Sequence, residues 1–233
     1  MSSPNFENSG DGESWDGKGE LEWTERNWKQ FLKDADAEIG RFIKIYQSLK
    51  GDSQRLDHTA LGMGWDSEEW SAELEFESDE STEWVDGASD DEDDYDELDD
   101  SDPYTVHKHP LYVTSRALYA LIAHYWKVLT LEMPGWVSAP DAVGFGEAVA
   151  GGECNAVMAI HALEMGDYNL VVVHLQRSLS ALNENMRLFQ KTITREDEML
   201  NPSVVEEFQS FFFDLREVWL RVIRECRGTS ELR

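Results

Sequence analysis

The sequence predicts an all-α fold: an antiparallel four-helix bundle with an additional N-terminal helix packed on it and a long acidic, disordered insert between the two. Three observations carry that expectation. Apolar residues recur at helical spacing through several long stretches, chain breakers fall between those stretches, and the acids crowd into one segment that holds no Lys or Arg.

The N-terminal residues 1–20 are rich in Ser, Gly, Asp, Glu and Asn and have no apolar core, which predicts disorder and excludes a secretory signal within them. A helical arm follows over residues 21–76. Its main element is an amphipathic helix over 23–49, where Trp28, Phe31, Ala35, Ile39, Phe42, Ile43 and Tyr46 step by threes and fours until Gly51 and Asp52 stop it. Two shorter pieces are expected, over 54–61 and 67–76, the second opened by a capping box of Asp66 and Glu69.

The bundle is expected over residues 104–228. Its first helix, 106–133, is apolar nearly all round, ends at Pro134 and Gly135, and should be the most buried element. The second starts near Ser138 with Pro140 in its first turn and runs to Met165, with a kink or break expected at Gly151 and Gly152. A short turn at Gly166 and Asp167 forces an antiparallel hairpin with the third helix, 168–191. The fourth opens at Asn201 and Pro202, or at a capping box of Ser203 and Glu206, and continues through Phe208, Phe211, Leu215, Trp219 and Cys226. The turn of Gly166, Asp167 and Tyr168 with its two helices resembles, over about 30 residues, the hairpin of a tetratricopeptide repeat, a family that binds peptides. Val171 and Ser178 depart from that pattern, and no second copy follows at its period.

Charge is the most informative property of the composition. Against 48 Asp and Glu stand 20 Lys and Arg, a formal net charge of −28. Such a chain repels phosphate, so direct nucleic-acid binding and attraction to anionic lipid are both disfavoured, and a basic protein partner is favoured. The charge is local, because residues 56–107 hold 21 acids and no Lys or Arg. Within that run, residues 77–103 form the expected acidic linker. Trp65, Trp70, Phe76, Trp84 and Tyr95 interleave with the acids, which suits a segment that docks on a basic, partly apolar groove and folds as it binds. Trp70, Trp84, Asp93, Asp94 and Tyr95 are its candidate partner-binding residues.

Motifs of catalysis are sparse. There is no nucleophile elbow, no phosphate-binding glycine loop and no closed calcium loop. Cys154 and Cys226 both sit in apolar helical patterns and are expected to be buried thiols. His124, His161 and His174 fall one to a helix in the bundle, and three converging imidazoles could ligate a divalent transition metal. Metal-binding bundles, however, pair their ligands on one helical face, and the only near match is the reversed His161 and Glu164 pair. The expectation is therefore a cytoplasmic, non-enzymatic interaction or adaptor protein without a cofactor, whose acidic segment engages a basic partner. The alternative is a metal-dependent helical-bundle enzyme.

Overall fold

The computed structural model describes residues 23–65, 105–132, 135–194 and 201–231, and these form six α-helices, one 3-10 turn and no strand. In chain order they are α1 (Glu25–Ser48), α2 (Arg55–Met63), the turn Val106–Lys108, α3 (Pro110–Glu132), α4 (Ala139–Glu164), α5 (Tyr168–Ile193) and α6 (Pro202–Glu231). The expected 67–76 helix and the acidic linker lie outside the described residues. No helix among the described residues is long and apolar enough to cross a membrane.

Helices α3 to α6 close an antiparallel ring, each packing on the next and α6 returning to α3. With eleven buried residues, nine of them apolar, α3 shares the lead in the core with α6, which also brings nine buried apolar residues. Pro110 begins it, as expected of a residue with a fixed φ and no N–H to satisfy. The aromatic centre comes from α6, whose Phe208, Phe211 and Phe212 meet Phe145 of α4, Phe189 of α5 and Tyr125 of α3. Trp126 stacks on Phe145 with ring centroids 3.9 Å apart.

Helix α1 runs parallel to α3: Phe31 lies beside His107 at the entrance to α3, while Tyr46, two residues from the end of α1, meets Phe211 together with Tyr125. Phe42 and Tyr46 are fully buried, so one continuous core spans α1, α2 and the bundle. Thr24 caps α1 through its hydroxyl, and the left-handed Gly51 (φ 86°) turns the chain back into α2.

Two local expectations are corrected, and one alternative is decided. Helix α4 runs unbroken through Gly151 and Gly152, because close packing and not chain weakness puts a glycine at 152. A Cβ there would stand 2.7 Å from the Tyr119 hydroxyl, which reaches across from α3 to Ser178 of α5 at 2.8 Å. Cys154 is exposed on the outer side of α4, and only Cys226 is buried, where desolvation pushes its thiol up to about 11. Of the two openings expected for α6, the chain takes the one at Asn201 and Pro202: the Asn201 side-chain oxygen accepts from the Ser203 backbone N–H at 3.0 Å.

Candidate functional site

The acidic segment attaches to the helices at two anchored points. At the first, Trp65 is half-buried against the core, its ring stacked on Phe42 and its backbone N–H bonded to the Ala60 carbonyl at 3.0 Å. It is therefore a core residue as well as the first aromatic of the acidic run. At the second, the turn Val106–Lys108 lays the buried Val106 against α3, and its His107 ring sits edge-on to Phe31 and Tyr112. Trp70, Trp84, Asp93, Asp94 and Tyr95 lie between these points, outside the described residues.

The three bundle histidines are dispersed. His124 is exposed beside Tyr125, at the rim of a groove of about 540 Å³ lined also by Gln47, Leu129 and Val204. His174 is half-buried on α5, with its Nδ1 3.2 Å from the Asn155 side-chain oxygen. His161 is exposed on α4, facing a groove of about 480 Å³ that it shares with His107, Tyr112, Arg116 and Glu164. Among the described residues no group of three or more His, Cys, Asp or Glu is gathered as a metal would require.

Glu164, which the sequence pairs with His161, instead points to His109. The His109 Nε2 lies 3.6 Å from Glu164 Oε1, too long for a hydrogen bond. Its Nδ1 accepts from the Leu111 N–H at 3.1 Å, which leaves the ring proton on Nε2. Burial holds this imidazole at about 4 and pushes the Glu164 carboxyl above its ordinary range, so near neutral pH the ring is uncharged and the contact is not an ion pair.

A buried polar cluster that sequence reasoning missed fastens α1 and α2 to α6. Arg55, on the first turn of α2, is 5% exposed, and its guanidinium lies 3.6 Å over the Tyr46 ring. It donates to the Tyr46 carbonyl at 2.6 Å, to Ser210 at 3.2 Å and to Glu207 at 2.8 Å. Glu207 is equally buried and takes a second contact from Lys50 at 3.5 Å. Beside them the Tyr46 hydroxyl donates to Asp214. Desolvation raises both groups, which keeps the proton on the phenol. A groove of about 330 Å³ flanks the cluster, spanned by the Arg221 and Asp57 pair at 3.2 Å. The signal for the cluster lay in phase, because Glu207 occupies the same helical face as Phe211 and Leu215, where an acid needs a partner.

No family model, curated protein or solved structure matches this chain. Its chemistry must be read from its own residues. The Arg55 cluster has its donors matched to acceptors, which suits a fastening. The run of residues 66–104 holds 20 acids and no Lys or Arg.

Proposed function

We propose that this chain is a non-enzymatic interaction protein, an adaptor whose helices present a dense acidic segment to a basic protein partner. The partition of charge carries the reading. The described residues hold 19 acids against 17 Lys and Arg, a net charge of −2, so the remaining residues hold 29 acids against 3 and carry −26. Of that, residues 66–104 supply 20 acids and no Lys or Arg. A near-neutral scaffold with one strongly negative segment focuses its field at that segment. Trp70, Trp84 and Tyr95 add apolar contact, while neighbours such as Asp93 and Asp94 steer the encounter. The setting is cytoplasmic, where Cys154 and Cys226 remain thiols.

Affinity capture from cell extract with the full chain, and with a variant lacking residues 77–103, tests the reading. The full chain should enrich basic proteins that elute as salt rises, and the association rate of the captured partner should fall by about tenfold or more in the deletion variant. Capture indifferent to both salt and the deletion would overturn it.

A further inference from the structure

The outer face of α4 is exposed, and apart from His161 and Met165, which rim the groove shared with His107, Tyr112 and Arg116, it is left uncovered by the described residues. Cys154 stands at its centre, with Val143, Glu147 and Ala150 before it and Met158, His161 and Met165 after it, and all seven are exposed. The steps from Val143 to Cys154 are four, three and four residues, and those from Cys154 to Met165 are again four, three and four. Such steps describe any face of an α-helix; what is particular to this one is that an acid, Glu147, and an imidazole, His161, stand equidistant from Cys154. The face is also apolar for a surface: Val143 is 60%, Met158 46% and Met165 70% exposed. Gly146 and Gly151 lie along it with open space where a Cβ would point.

Charge marks out the same pattern. Helix α4 has four acids and no Lys or Arg. Asp141 is paired with Lys191, Glu153 with Arg116, and Glu164 lies beside His109. Glu147 alone has no partner among the described residues. It stands seven residues before Cys154, and His161, which likewise makes no hydrogen bond or ion pair among the described residues, stands seven after it.

We propose that this face pairs with α4 of a second copy of the chain, antiparallel, across a two-fold axis at Cys154. Antiparallel pairing sets residues equidistant from the axis side by side, as an isologous interface demands. Each Glu147 then meets the other copy's His161, each Val143 its Met165, and each Ala150 its Met158. The glycines let the backbones approach, and the stripe from Val143 to Met165, 22 steps along the helix, gives about 33 Å of contact at a rise of ~1.5 Å per residue. The bond between His174 and Asn155 sets residue 174 of α5 level with the middle of α4, so the exposed Leu170 and Val173 widen the patch toward its C-terminal end.

The test measures the mass of the full chain by sedimentation equilibrium and light scattering at tens of micromolar, with circular dichroism confirming that each variant folds. Wild type should weigh twice the 26.7 kDa chain mass. Glu147→Lys should weaken the dimer about tenfold or more, since a cation then replaces the carboxylate opposite His161. Adding His161→Glu to that variant should restore it by exchanging the two signs. A short bis-maleimide should join two chains through Cys154 and leave Cys226, at 1% exposure, unreacted. A monomeric wild type overturns the proposal. So does a dimer that Glu147→Lys leaves intact, that the double variant fails to restore, or that does not cross-link at Cys154; the last three results would assign the face to another protein's helix or place the dimer elsewhere.

Discussion

The bundle has two outer sides, and they are treated in opposite ways. On the side formed by α3 and α6, the arm of α1 and α2 lies over the core and is fastened there by Phe42, Tyr46 and the buried Arg55 and Glu207 pair. On the other side α4 presents Val143, Met158 and Met165 to solvent, although its sequence is as apolar as that of a buried helix. What distinguishes the sides is whether the chain supplies a cover, because both helices behind them bring apolar residues to the surface. The arm is a cover with its own polar lock, and the outer face of α4 has none among the described residues.

The largest effects belong to the covered side. Arg55→Met should destabilise the protein by about 3 to 5 kcal/mol, since it leaves Glu207 charged, buried and served only by the partly exposed Lys50. Adding Glu207→Leu should recover most of that loss, because a well-packed apolar pair replaces a buried ion pair at little net cost. A double variant as unstable as the single one would show that the cluster does more than fasten. Phe42→Ala should also cost about 3 to 5 kcal/mol, the range for truncating a buried aromatic, and chemical denaturation reads it directly. An unchanged midpoint would mean that the arm does not share the core.

His109 stands at the edge between the two sides. Its folded imidazole titrates at about 4 against 6.5 when unfolded, so below 6.5 the unfolded chain takes up a proton that the folded one refuses. Stability is therefore full above pH 6.5 and declines toward pH 4, by at most about 3 kcal/mol, with the raised Glu164 offsetting part of it. His109→Gln should flatten this part of the stability curve relative to wild type. If the two curves stay parallel, burial of His109 is not what weakens the fold in acid.

On α4 the inner and outer glycines give opposite signs. Gly152→Ala should cost about 1 to 2 kcal/mol, the clash with a Tyr119 hydroxyl held by Ser178 outweighing the gain in helix propensity. Gly151→Ala, one residue along with open space around its Cβ, should gain up to about 1 kcal/mol. Equal signs in thermal melts would mean that α4 does not pack on α3 through Gly152. The smallest change is Met158→Ser on the outer face, which should alter the stability of the monomer by less than about 0.5 kcal/mol.

Helical periodicity made α1, α3, α5 and α6 legible within a few residues, because each puts apolar side chains on one face and stops at a recognisable breaker or cap. Helix α4 was legible as an element but not in its continuity. Glycine lowers helix propensity wherever it stands, and only the approach of Tyr119 explains why Gly152 serves the packing of this helix. The dispersal of His124, His161 and His174 was equally hidden, since spacing along a helix fixes a residue's face but not which neighbour it meets.

By itself the sequence determined the helical class, the order of the elements, the antiparallel hairpin at Gly166 and the concentration of negative charge before Thr105. These depend on local periods, turn chemistry and composition, which act over a few residues. Tertiary structure decided that Arg55 finds Glu207, 152 residues away, that Glu164 faces His109 and not a metal partner of His161, and that Cys154 lies outside the core. Those outcomes rest on desolvation and on contacts between distant segments, and a buried charge reveals its partner only once the helices are packed.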